Sequence, residues 1–301
     1  MIAISLWGGA DVSSTAHVVE RVRAAAADGF GRIWFPQTAS VDVLTALAVA
    51  GDRVPGIRLG TAVVPIQGRH PIPLAQQALT AADAAGPGRL TLGVGVTHAV
   101  VSDAWYGIAY RGIVDVCAEE LQALAALLAP GRKVDLVGAH LTARFTLGMA
   151  TEPPGLMLAA LGPRMCDLAG SLCDGTITWM TGPIALARDV VPRITAAATA
   201  AGRPSPEIVA GLAVCLTDDP DDARSRIRPA LAGAATMPSY RRMVAAEGLD
   251  DPARMALVGD EAVLDARLAA LEAAGATELM ANVVGTDAER ARTRAFLASR
   301  A

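Results

Sequence analysis

Lysine is almost missing from this chain: of its 26 basic residues only Lys133 is a lysine, and it falls in an irregular stretch away from any strand end. Barrel enzymes that form a Schiff base need a lysine where substrate binds, so that chemistry is excluded. Histidine is scarce too, and His17, His70, His98 and His140 fall in a helix, a helix start, a strand end and a hairpin that do not converge. A metal site built from several histidines is therefore excluded, and no metal is expected. Cys117, Cys166, Cys173 and Cys215 contain no CxxC pair and lack the density of a disulfide scaffold. They read as reduced, buried residues of an intracellular protein. Aromatics are only 4% of a sequence that is 52% hydrophobic, so the core must be mostly Ala, Val, Leu and Ile. With a net charge of −4 there is no electrostatic basis for binding nucleic acid or an anionic membrane. No uncharged apolar run approaches the roughly eighteen residues of a membrane span, and the opening MIAISLWGG has no basic n-region. The expectation is a soluble, cytoplasmic protein without a signal peptide.

What the chain has is a regular alternation of strand and helix patterns. Apolar strand runs are expected at 2–7, 32–36, 57–64, 89–96, 156–161, 175–180, 208–217 and 278–284. Between them lie helical patterns: one capped by Ser13 or Ser14 and running to Asp28, then 41–54, 71–85, 114–128, a short helix after Gly162, 184–201, 260–274 and a last one at 287–299. The helix at 114–128, the fourth, follows a loop rich in aromatics. Two interruptions stand out. Short alternating pieces at 133–137 and 140–145 suggest a hairpin after the fourth helix, and 219–247 reads as a helical insertion after the seventh strand, broken near Pro238. Eight βα units in 301 residues, with strands too uniformly apolar to have a wet face, predict an α/β fold of the closed parallel TIM (β/α)8 type. The rival is an open doubly wound sheet, which would place a GxGxxG turn after the first strand; Gly8-Gly9 lacks the rest of that pattern. No internal repeat, low-complexity tract or linker divides the chain, so residues 1–301 are expected to form a single domain.

In such a barrel the active site lies at the C-terminal ends of the strands. The most informative of these is in the stretch 156–182, where a strand breaks at Gly162-Pro163 into a short helix and a second strand ends in Thr181-Gly182. Proline favours the first helical position, and unpaired N–H groups at a helix start attract anions. Arg164 would add a fixed charge. The alternatives are a phosphate grip and ordinary punctuation between strand and helix. At the end of the fourth strand, His98 is the best placed titratable group for proton transfer.

The order and spacing of these segments, taken together, resemble a known family. The segments are Gly60-Thr61-Ala62-Val63-Val64 with Arg69-His70-Pro71 and 75–78 after it, 88–95, Tyr110-Arg111, Glu119-Glu120, 159–165 with Leu168-Ala169-Gly170, and Asp174-Gly175 leading to Trp179-Met180-Thr181-Gly182-Pro183. They resemble the luciferase-like monooxygenase superfamily, in its branch of oxidoreductases dependent on the deazaflavin coenzyme F420. The resemblance implies a phosphate-bearing cofactor tail on the Gly162 helix start near Thr181-Gly182, and a flat ring against strands three and four. The cofactor-binding residues it implies are Gln37, Thr38, Thr61, Ala62, Val63, Gly95, Thr97, Ala160, Leu161, Gly162, Pro163, Arg164, Met180, Thr181 and Gly182. It also implies a bulge in strand three with a non-proline cis bond from Ala62 to Val63. Members that oxidise sugar phosphates carry a histidine at the end of strand two and a glutamate at the end of strand four. Thr38 and His98 stand at those places here, which argues against a sugar phosphate and leaves His98 as the candidate catalytic residue.

Several readings stay paired with alternatives. Trp7, Trp105, Tyr106 and Trp179 either wall an apolar pocket or are plain packing. His70 either touches the cofactor or caps the helix it precedes. Glu119-Glu120 reads as a solvated face, although the resemblance places that helix near a partner subunit and so implies a homodimer. The expected function is hydride transfer between F420 and a small-molecule substrate. The first alternative is an FMN-dependent monooxygenase of the same fold, and the second a cofactor-binding protein without turnover. The substrate is not legible, because specificity is expected in the loops at 102–111 and around Ser239.

Overall fold

The computed structural model describes residues 2–301, apart from the side chains at 234 and 235. Short polar side chains set several of the helix starts. Ser14 accepts a hydrogen bond from the His17 N–H before α1 (Thr15–Ala27), and Asp42 accepts one from Thr45 before α2 (Val43–Arg53). These caps satisfy backbone donors that the first turn leaves without partners. Strands β1 (Ala3–Trp7), β2 (Arg32–Phe35) and β3 (Arg58–Thr61) precede or separate these helices. The run expected at 57–64 is broken: a cis peptide joins Ala62 to Val63, and the chain re-enters the sheet as the two-residue β4 (Val64–Pro65).

His70 caps α3 (Pro71–Ala85), its Nδ1 accepting from Ile72 and its Nε2 lying 3.1 Å from the Thr142 carbonyl. After β5 (Leu90–Gly95) comes a correction to the sequence reading: 99–106 is not loop but helix α4 (Ala99–Tyr106). Its one buried residue is Ser102, while Val100 and Trp105 are exposed, so α4 has no apolar stripe for a periodicity argument to find. The long helix is therefore the fifth, α5 (Ile113–Leu128), and the hairpin of β6 (Lys133–Val137) and β7 (Thr142–Thr146) follows it. Glu119 is partly exposed, and it is also engaged. Its carboxylate accepts the N–H groups of Ala139, His140 and Leu141, each at 2.8 Å, and pins the hairpin turn to α5. Burial, with the charge of Glu119 beside it, pushes the Glu120 carboxyl up to about 7.

The second half runs β8 (Gly155–Ala159), α6 (Pro163–Leu172), β9 (Gly175–Trp179) and α7 (Pro183–Ala185). The last continues through a π-helical turn into α8 (Val191–Ala200), where an unbroken helix was expected. Then come β10 (Glu207–Leu216), the insertion helices α9 (Pro220–Ala235) and α10 (Pro238–Ala246), and a short strand that the sequence reading missed, β11 (Leu257–Gly259). Helix α11 (Glu261–Ala273), β12 (Glu278–Val283) and α12 (Asp287–Ala298) complete the chain.

Eight strands close a parallel ring in the order β1, β2, β3, β5, β8, β9, β10, β12 and back to β1, with β4 continuing β3 beside β5 and β11 attached outside the ring to β10. This is the expected TIM barrel. Its interior holds Trp34, Met157, Ile177, Val209 and Met280, and the larger core lies between strands and helices. At the N-terminal end, Arg32 is 2.9 Å from Glu278, whose other carboxylate oxygen accepts the Trp34 indole N–H at 2.6 Å. That group plugs the base and leaves the opposite mouth for a site.

Candidate active site

A cavity of about 520 Å³ opens at the C-terminal mouth of the barrel. Its floor is Ile177 and Met280, and one wall is the Ala62-Val63 bulge. Gly95 lets that bulge approach, since a Cβ there would sit 2.8 Å from Val63 Cγ2 and 3.1 Å from the Ala159 Cβ. Trp7 and Trp179 form another wall with ring centroids 5.6 Å apart. The expected aromatic pocket is thus half realised, because Trp105 and Tyr106 lie on α4 with Trp105 59% exposed and neither lines the cavity.

His98 stands at the N-cap of α4 without capping it, and its imidazole forms no hydrogen bond among the described residues. Burial pushes its pKa down from the ordinary value, because desolvation disfavours the charged ring. The ring of Tyr240, from α10, meets it edge-on at 5.8 Å between centroids. Burial likewise raises the phenol of Tyr240 above its usual range. Tyr110, also on the wall, is raised by burial and by the nearby Cys117 thiol.

The cavity reaches the start of α6, which no side chain caps. Arg242 from α10 arrives there: its guanidinium donates to the Leu161 carbonyl at 2.9 Å and would lie 3.9 Å from a Cβ on Gly162. A second hollow beyond it is bordered by Pro163, Arg188, Asp189, Arg193 and Arg242. Arg164, the sequence candidate for the fixed charge, instead faces outward and pairs with Asp115.

Of the cofactor-binding and catalytic candidates, Ala62, Val63, Thr97, His98, Leu161 and Gly162 line the cavity together, Gly95 stands behind its bulged wall, and Pro163 borders the adjoining hollow. The others lie elsewhere. Gln37 is committed to α2, its amide oxygen accepting from Val43 and its nitrogen donating to Val41 and Thr38 carbonyls, and Thr38 is outside the lining. The Thr61 hydroxyl is buried between strands, donating to the Gly93 carbonyl at 2.7 Å and accepting from its N–H at 2.9 Å. Ala160 is buried and donates its N–H to Thr176. Met180 packs with the insertion, and the Thr181 hydroxyl turns back to the Trp179 carbonyl. The helix start at Gly182 is already filled, because the Glu247 carboxylate accepts the Ala185 N–H at 2.7 Å and that of Ile184 at 3.4 Å. An anion has one open helix start here, at Gly162, rather than two.

The sequence reading marked the stretch around Ser239 for specificity, and that stretch does line the cavity, but it did not name Tyr240 or Arg242. The available signal was composition: in a chain with three tyrosines, one falls in an insertion otherwise rich in alanine and arginine. Among the described residues no cluster of His, Cys, Asp or Glu is arranged to hold a metal ion, and no helix is long and apolar enough to cross a membrane.

Known proteins are similar to this chain over most of its length. A Mycobacterium tuberculosis protein named as a coenzyme F420-dependent oxidoreductase is 29% identical over 98% of this chain and 97% of its own. The 5,10-methylenetetrahydromethanopterin reductase of Methanolobus tindarius is 27% identical over 77% of this chain and 70% of its own. Among solved structures, an F420-dependent secondary alcohol dehydrogenase in complex with an F420-acetone adduct superposes with a TM-score of 0.81 at 18% identity, covering 99% of this chain and 97% of that one. The family profile described as luciferase-like monooxygenase matches residues 1–283, and the chain belongs to that family.

Proposed function

We propose that this chain is an F420-dependent oxidoreductase that transfers a hydride between the deazaflavin and a small organic substrate. The observation that carries the proposal is the joining of two features in one cavity: an apolar, bulge-walled barrel mouth holding His98 without a hydrogen-bond partner, and the uncapped α6 start beside Arg242. The residues fit such a cofactor. Val63 and Ala62 offer a flat apolar wall where Gly95 leaves room, and the α6 N–H groups with Arg242 suit a phosphate. When bound, the cofactor supplies the hydride. The chain supplies the rest. Trp7 and Trp179 wall the mouth, and neutral His98 takes the proton of a substrate hydroxyl as the hydride leaves its carbon; in the reverse direction the imidazolium returns that proton to the carbonyl oxygen. The kinship with named F420-dependent relatives supports the same cofactor.

The test is a parallel titration of the purified protein with oxidised F420 and with FMN. Saturable binding of F420 with no comparable FMN binding is the expected result. Preference for FMN would move the chain to oxygenase chemistry, and binding of neither would overturn the proposal.

A further inference from the structure

We propose that Tyr240 is a substrate-binding residue which, with His98, clamps the oxygen of a neutral alcohol or carbonyl compound whose apolar body lies against Trp7 and Trp179. The substrate role rests on the proposed function, while the clamp itself rests on the geometry of the cavity. Three observations carry it.

The first is charge. Among the described residues Arg242 is the single arginine in the cavity lining, which contains no lysine, aspartate or glutamate, and its guanidinium is engaged at the Leu161 carbonyl on the α6 side. Away from that end an ionic substrate would lose its hydration without gaining a counter-charge, which burial penalises heavily. The second is unmet hydrogen-bonding capacity. Neither the Tyr240 hydroxyl nor the His98 imidazole has a hydrogen-bond partner among the described residues, and both line the same cavity. Both side chains are half-buried on the cavity wall, so the hydroxyl and the imidazole are available to bond a ligand oxygen that enters there. The third is proximity. The two rings meet edge-on with centroids 5.8 Å apart although one stands at the start of α4, just past β5, and the other on the insertion helix α10. One oxygen atom accepts from both a phenol and a neutral imidazole, and an alcohol also donates to the imidazole. Tyr110 lines the cavity too but has no ring contact with His98, so it is not part of the pair.

The probes are cyclohexanol, cyclohexanone and cyclohexanecarboxylate, titrated by ligand-observed NMR against the wild type, Tyr240→Phe and His98→Asn, each with and without F420. Tyr240→Phe keeps the ring against His98 and removes only the hydroxyl. The wild type is expected to favour both neutral probes over the carboxylate by about tenfold or more. Tyr240→Phe should weaken the neutral probes by about 3- to 10-fold, the range of one net hydrogen bond. Equal affinity of wild type and Tyr240→Phe for the neutral probes would overturn the clamp, as would carboxylate binding on a par with them. An F420 titration of the same samples separates the two proposals. Loss of neutral-probe affinity in Tyr240→Phe without F420 binding would keep the clamp and refute the cofactor reading. F420 binding with no such loss would do the reverse.

Discussion

Replacing Glu278 with alanine tests how far the plug at the barrel base stabilises the fold. Arg32 and Glu278 form an ion pair at 2.9 Å with side chains only 6% and 7% exposed. The same carboxylate accepts the Trp34 indole N–H, and the Arg32 guanidinium lies 5.1 Å from that ring's centroid. Without Glu278 the arginine keeps a single acidic neighbour, Glu207 at 3.1 Å, whose side chain is 48% exposed and therefore well screened. Its Nε already lacks a partner. Breaking a buried pair by deleting one member costs about 3–5 kcal/mol, chiefly because a desolvated charge is left behind. The orphaned indole N–H adds to the loss, and Glu207 offsets part of it, so Glu278→Ala is expected to lose about 3–5 kcal/mol in all. With an unfolding entropy of about 2.1 cal/mol/K per residue over 301 residues, the melting temperature should fall by about 5–8 °C. Glu278→Gln keeps an acceptor for Trp34 and should lose less. Urea unfolding and thermal scans of both variants provide the measurement. A loss below about 1 kcal/mol for the alanine variant would refute the reasoning, since it would mean that the Arg32 charge is solvated in the folded barrel.

Two further predictions concern the mouth. His98 should titrate below its usual value of about 6.5 in the folded protein, read from its imidazole NMR signals. The unfolded chain then takes up this proton first, so the stability His98 contributes is present above about pH 6.5 and is lost as pH falls from there through the folded pKa. A midpoint at or above 6.5 would contradict the burial. Glu247→Ala removes the carboxylate that joins the end of α10 to the start of α7, and should cost about 0.5–2 kcal/mol, as for other lost helix caps. Amide exchange across Pro238–Ala246 should quicken in that variant; unchanged exchange would show that Glu247 does not hold the helix in place.

The barrel was legible because its strands are buried on both faces and several of its helices begin at polar caps, and both leave marks on sequence. The α3 bounds, Pro71 to Ala85, follow from a proline at the start and Gly86 at the stop. Helix α4 was not legible, since Ser102 is its one buried residue and it has no apolar periodicity. The site was legible where it follows from strand ends, as with His98, Thr97 and Gly162. It was misread where a polar side chain at a strand end turns inward to bond the backbone. The Thr61 hydroxyl pairs with Gly93, and Gln37 serves the first turn of α2. Position along a strand fixes which residues reach the mouth, but hydrogen-bond competition decides which of them remain free for a ligand. Tyr240 and Arg242 lay beyond this logic because no strand carries them.

Their origin separates one wall of the cavity from the barrel that carries the rest. The wall that α10 contributes belongs to a separate hydrophobic cluster, in which Ile227, Leu231 and Val244 of the insertion pack with Met180, Ala213, Cys215 and Val258. The main core, from Ile4 through Leu92 to Leu279, does not depend on it. Substitutions on the cavity side of α10 therefore change which groups meet a ligand without opening voids in the barrel, whereas changes at Ile177 or Met280 alter the floor and the interior packing together. The fixed part of the site is the framework of backbone and glycine around Val63, Gly95 and Gly162, which suits a constant cofactor. The adjustable part is the insertion, which suits a variable substrate. The polar pair of His98 and Tyr240 spans that division, one member from each side.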